Sequence, residues 1–299
     1  MASPTTDSNV ARRMLGLTLE TMRVKQGISR ENAAEAIAIA RSTLWKIETG
    51  QAVRLNPVLI KHLCDLYESD AQQAQVVLEL VKETKAKGWW QAFAEDAIPK
   101  EFGLFVSLED AAERITSYQT VFLPGLLHTV EYRRALSWIE FPDKSSEEHE
   151  RMLEVSLKRQ QRLVGDGKVL TLNVLIDETV LRRVTGSAPI MQAQLRHLLE
   201  VGKLPNVSIR VVPLKAGIYR GLTIGTFVIL DFPAHPKAEL TMPPVVYVQG
   251  FLGDLYLEQP SEVRQYREVV RADIERVALD EPDSRALILE IAREYAAWT

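Results

Sequence analysis

Between Ala11 and Thr84 the apolar residues recur at helical spacing, and the runs they form are short. Leu15, Leu19 and Met22 mark one face of a first helix, and Gly27 follows as a stop. Ser29 is a good N-cap and opens a second helix, SRENAAEA. A turn at Ile37-Ala38-Ile39 leads into a third, ARSTLWKIET, which ends at Gly50. Pro57 starts a fourth, with Leu59, Ile60, Leu63 and Leu66 as its stripe, and AQQAQVVLELVKET reads as a fifth. Helices this short are marginal alone. They must therefore bury their stripes against one another, which predicts one compact all-α module.

The rest of the chain has a different texture. Gly88, Trp89, Trp90 and Pro99 mark a junction over 85–106. Residues 107–120, 129–140 and 146–164 read as helices. Segments 168–176, 207–213, 224–232 and 244–249 are rich in Val, Ile and aromatic residues and read as strands. Helices are expected at 178–185, 188–202, 261–279 and 283–297. The fold class is therefore α+β: an N-terminal all-α five-helix domain followed by a larger mixed α/β domain. The expected boundaries are a disordered tail at 1–10, a helical domain at 11–84, the junction at 85–106 and a C-terminal domain at 107–299. A chain of 299 residues agrees with two domains.

Charge separates the same two regions. Arg12 to Lys61 holds nine Lys/Arg and four acids, a balance of +5. The remainder holds 27 bases and 36 acids, or −9, which gives the chain its net −4. A basic module on an acidic body suits a phosphate-binding head. The start of the chain lacks an apolar signal core, and no apolar run approaches the ~20 residues of a membrane span, so no membrane role is expected. The one cysteine, Cys64, reads as a small buried apolar residue, in keeping with a cytoplasmic location.

The third helix carries the chemistry. Leu44 and Ile47 share one face, which leaves Arg41, Ser42, Trp45 and Lys46 on the other. A helix fits the DNA major groove, where each base pair shows its own donor and acceptor pattern. Arg41 suits guanine O6 and N7, and Ser42 suits several bases. Thr43 and Lys46 suit phosphate or base, and Trp45 suits a thymine methyl or the backbone. Ser29 and Arg30 sit where a helix N-terminus can hold a phosphate, and Arg54 is a further candidate.

The segment from Leu15 to Tyr67 resembles the repressor-type helix-turn-helix of the Xre (Cro-type) family. The matching text is LGLTLETMRVKQGIS, RENAAEAIAIARSTLWKIETG, and Pro57 with LIKHLCDLY. In that family an arginine of the first helix pairs with the glutamate of the Ile47-Glu48-Thr49-Gly50 ending, which implies an Arg23–Glu48 salt bridge. Two positions depart from the pattern: Ala38 stands where the turn usually has Gly, and Ala40 where the third helix usually has a Ser or Thr cap. Ala38 at positive φ would add strain.

The remainder resembles the long C-terminal domain of unknown function that many actinobacterial regulators carry. The shared text includes Trp89-Trp90, LPGLLHT, EYRRAL, KRQQRL, IDETVLRR, PNVSIRVVPL and GIYRG. The two resemblances together imply a transcription regulator of double-stranded DNA, and because one small module reads only a few base pairs, a homodimer on an inverted-repeat operator is expected. They also imply a small acidic protein partner or a small-molecule effector.

The C-terminal residues show no zinc, Walker or nucleophile-elbow motif, so no metal, cofactor or catalytic residue is expected and the chain is read as not an enzyme. Asp177-Glu178 beside Arg182-Arg183 reads as capping plus an ion pair, Arg159, Gln160 and Arg162 as a solvated helix face, and the Pro124–Leu127 loop as core. Tyr219, Phe227, Tyr247, Phe251 and Tyr256, lying near glycines, form a candidate ligand pocket. Two alternatives stand beside the regulator reading: a C-terminal enzyme directed or autoregulated by the DNA-binding head, and an antitoxin-like protein that sequesters a partner.

Overall fold

The computed structural model describes residues 8–51, 53–85, 89, 102–165, 169–234, 241–250 and 253–298. Most of the N-terminal tail, most of the junction, and Trp90 and Phe251 lie outside the described residues.

The N-terminal unit contains α1 (Ser8–Lys25), α2 (Arg30–Ala36), α3 (Arg41–Glu48), α4 (Pro57–Leu66) and α5 (Ala71–Glu83). Helix α1 begins at Ser8, inside the expected tail. Side-chain caps set several of the starts. Ser29 accepts from the Asn32 N–H, Asn56 from Val58, and Asp70 forms a capping box with Gln73. Leu15, Leu19, Leu44, Ile47, Ile60, Leu63, Val77 and Val81 belong to one core, and Cys64 is buried in it. Helix α1 crosses α3 at Gly16, where a Cβ would come within 2.4 Å of the Glu48 carbonyl oxygen. Only glycine permits that approach.

The C-terminal unit is built on a six-stranded sheet in the order β3-β2-β1-β4-β5-β6. Its strands are β1 (Arg114–Gln119), β2 (Thr171–Asp177), β3 (Val207–Val212), β4 (Phe227–Asp231), β5 (Val245–Val248) and β6 (Leu255–Leu257). Strands β1, β2 and β3 are parallel, whereas β4, β5 and β6 each run antiparallel to their neighbour. The β1-to-β2 crossover contains α7 (Val130–Glu140) and α8 (Ser146–Gln160). The β2-to-β3 crossover contains α9 (Glu178–Arg182) and α10 (Ala188–Val201), and the short α11 (Arg220–Ile224) lies between β3 and β4. Side chains alternate across each strand. Tyr118, Leu175, Val212, Phe227, Ile229 and Val246 form a core with Val263 and Val269 of α12 (Pro260–Val269) and with a π-helical turn, Val270–Ile274. That turn runs on through α13 (Glu275–Val277), and α14 (Glu281–Ala296) packs against α10 and β3.

The structure departs from the sequence pattern at two strands of the sheet. A single helix was expected over 107–120, but α6 (Phe102–Ala111) ends early and Arg114–Gln119 is a central strand. The segment RITSYQ is rich in β-branched and aromatic residues. What makes it a strand is pairing with Thr171–Ile176 on one side and Phe227–Asp231 on the other. Strand β6 also lay outside the expected strands, because three residues carry no periodic signal.

Candidate nucleic-acid interface

Two helices and a turn build the candidate surface. Helix α2 is anchored from below by Ala33 and Ala34, both buried. The chain then reverses through Ala38, whose φ of 54° is left-handed. The Ala38 N–H donates to the Glu35 carbonyl at 3.0 Å and the Ile39 N–H to Ala34 at 2.9 Å. These bonds satisfy the end of α2 and hold a conformation that costs a non-glycine residue about 1–2 kcal/mol. Ala40 occupies the N-cap of α3 and makes no side-chain cap bond. At the other end, the Thr49 hydroxyl donates to the Trp45 carbonyl at 2.8 Å.

On α3 itself, Leu44 and Ile47 face the core, at 0% and 3% exposure. Arg41, Ser42, Trp45 and Lys46 are exposed, Trp45 at 43%, and Thr43 is half-buried. Arg54 is exposed in the loop before α4, and Ser29 is exposed at the α2 cap. The outward row is thus one guanidinium, one hydroxyl, one indole and one ammonium. Arg41 carries an ion pair with Glu31 of α2.

Beneath this surface lies a charged cluster. The Glu48 carboxylate is fully buried. Arg23 donates to it through Nε at 2.6 Å and Nη2 at 3.1 Å, and also to the Ile28 carbonyl at 2.9 Å. Arg30 donates to the second oxygen at 2.6 Å and to Glu20 at 3.0 Å. Hydrogen bonding to Glu48 raises the Arg23 pKa above its ordinary value, so the guanidinium stays charged. A buried carboxylate needs this many partners. Arg30, read from the sequence as a phosphate anchor, therefore has its guanidinium on Glu48 and Glu20. Nothing in the sequence ties Arg30 to Glu48, because the contact depends on how α2 and α3 pack. Desolvation raises the buried Tyr67 hydroxyl, and the nearby Glu48 charge adds to the shift.

The C-terminal candidates fall into two groups. Tyr219 and Phe227 join Tyr118, and the Tyr118 and Tyr219 hydroxyls lie 2.6 Å apart. Tyr247 and Tyr256 pack with tilted rings, and Tyr247 also packs at a tilt on Phe105. Phe227 is buried in the core. A cavity of about 410 Å³ lies elsewhere, with Thr171, Asn173, Lys203, Ser208 and Arg285 among its lining residues. Among the described residues, Tyr219, Phe227, Tyr247 and Tyr256 do not line it.

The polar pairs are internal. Asp177 caps α9, accepting from Thr179, and also accepts from the Tyr219 hydroxyl at 3.0 Å. Glu178 pairs with Arg182 at 2.6 Å and accepts from the Leu214 N–H. Arg159, Gln160 and Arg162 do not form a solvated face. Arg159 is buried over the Phe102 and Phe105 rings, Gln160 donates to the His128 carbonyl at 2.8 Å, and Arg162 donates to that of Ala112 at 2.6 Å. Leu126 and Leu127 of the Pro124 loop are buried, as core residues.

Residues 14–76 match a family described as Helix-turn-helix domain. Residues 102–290 match one described as Domain of unknown function (DUF5753), which covers more than half of the chain. The chain belongs to the DUF5753 family. No curated protein and no solved structure matches it. In this DUF5753 protein the helix-turn-helix match spans the exposed α3 row and the Glu48 cluster beneath it, which marks the chain as a DNA-binding regulator. No helix among its described residues is long and apolar enough to cross a membrane.

Proposed function

We propose that this protein is a sequence-specific transcription regulator of the Xre type, of the kind found in actinobacteria, whose helix α3 enters the DNA major groove. The observation that carries this reading is the α3 surface. Arg41, Ser42, Trp45 and Lys46 face outward, while Leu44 and Ile47 anchor the helix from below. Ser29, Thr43 and Arg54 flank that row and contact the backbone. Arg30 acts indirectly, by holding Glu48 in place. The protein works in the cytoplasm as a homodimer on an inverted repeat, because one small module reads few base pairs and two-fold symmetry doubles the contact.

The C-terminal domain controls that binding through a small ligand or a small acidic protein partner, and it is not an enzyme. The non-enzymatic reading is supported by Asp177, Glu178 and Tyr219, which are engaged with internal partners. Arg41→Ala tests the reading. Footprinting and anisotropy on the protein's own promoter should show specific binding weakened by roughly 1–3 kcal/mol and one operator position relaxed. Unchanged binding would remove α3 from the groove.

A further inference from the structure

The exposed row on α3 contains a pair whose geometry goes beyond supplying charge. Arg41 is the first residue of α3, and its N-cap, Ala40, makes no side-chain cap bond. An arginine 66% exposed at such a place would sample many rotamers. In the structure its Nη1 lies on an oxygen of Glu31, itself exposed. Glu31 stands on a rigid support. It follows the Ser29 cap, and its neighbour Arg30 is bonded to Glu48 at 2.6 Å and to Glu20 at 3.0 Å. Ala33 and Ala34 seal the underside of the same helix, and the Ala38 turn fixes the step from α2 to α3.

A guanidinium is a planar fork with five N–H donors. Bonding Glu31 through Nη1 leaves the Nε–Nη2 edge open, and that edge matches guanine O6 and N7. We propose that Glu31 is a positioning residue for base readout: it holds Arg41 so that its free edge is presented to a guanine in the major groove. This rests on the placement of α3 in the groove. It adds that an acidic residue on the DNA-facing side favours specific binding, although its charge opposes phosphate.

The opposed signs provide the test. The full chain would be titrated by fluorescence anisotropy against an operator duplex selected from random sequence and against a random-sequence duplex of equal length. Glu31→Ala should lower operator affinity roughly fivefold, because the unpinned arginine must then lose rotamer freedom on binding. Affinity for the random duplex should hold or rise, since a carboxylate near phosphate is gone. Glu31→Gln retains an acceptor oxygen and should recover part of the loss. Replacing the guanine at the position that Arg41→Ala relaxes should abolish the Glu31 effect. Affinities rising together on both duplexes, an unchanged operator affinity, or a loss that persists without that guanine would each overturn the positioning role. If Arg41→Ala itself leaves operator binding intact, the groove placement fails. If Arg41→Ala weakens binding and Glu31→Ala does not, only the positioning role fails.

Discussion

In the N-terminal helices the charged groups divide into two layers. Glu48, Arg23, Arg30 and Glu20 form an inner cluster, and Arg41, Lys46 and Arg54 stand outside it on the solvent side. In the sheet domain the corresponding polar groups turn inward. Asp177 is bonded to Thr179 and Tyr219, Glu178 to Arg182 and Leu214, and Arg159 lies over two phenylalanine rings. A group already satisfied by its own fold gains little from an outside ligand, because it must first lose that partner. A binding surface is therefore easier to recognise in the first region than in the second.

The contrast can be broken at three points. The largest effect is expected at the inner cluster. Glu48→Ala strands the Arg23 guanidinium in a buried site and should cost about 3–5 kcal/mol of stability by urea denaturation. A loss below about 1 kcal/mol would mean that the cluster is not the keystone of the helical unit.

The second point is His128 in the sheet domain. Its Nε2 lies 2.7 Å from the Leu123 carbonyl, which can only accept, so Nε2 carries a proton. Burial pushes its pKa down to about 3, and the Arg133 charge pushes it the same way. The unfolded chain takes up this proton near pH 6.5 and the folded chain does not. The contribution is therefore full above about pH 6.5 and is lost as pH falls towards about 3. At about pH 5 the loss should be about 2 kcal/mol relative to about pH 7. His128→Gln should flatten that part of the acid dependence. Equal acid sensitivity in the variant and the parent would contradict the assignment.

The smallest effect is expected at the turn. Ala38→Gly removes the cost of a positive φ and adds chain entropy to the unfolded state, for a net gain of about 0.5–1 kcal/mol. Thermal melts read this directly. A fall in melting temperature would show that the turn is not strained.

The helical unit was readable in the sequence because its information is local. The cap at Ser29, the start at Pro57, the stops at Gly27 and Gly50 and the stripe of Leu44 and Ile47 all act within a few residues. The sheet domain was less readable. The candidate pocket joined Tyr219 and Phe227 to Tyr247 and Tyr256 because all lie near glycines. The fold sends them into two clusters, since neighbours in a sheet are chosen by pairing and not by chain distance. Arg159 reads as solvated on its own helix but is covered by two phenylalanines of α6, far earlier in the chain.

By itself, then, the sequence determined the α-helical head, the outward set on α3 and the mixed character of the larger domain, through periodicity and charge. Tertiary structure alone decided that Arg114–Gln119 is a central strand, that Arg30 belongs to Glu48, and that Arg41 rests on Glu31. Each of these depends on a partner brought near by packing, and hydrogen bonds and ion pairs fall away within a few ångströms.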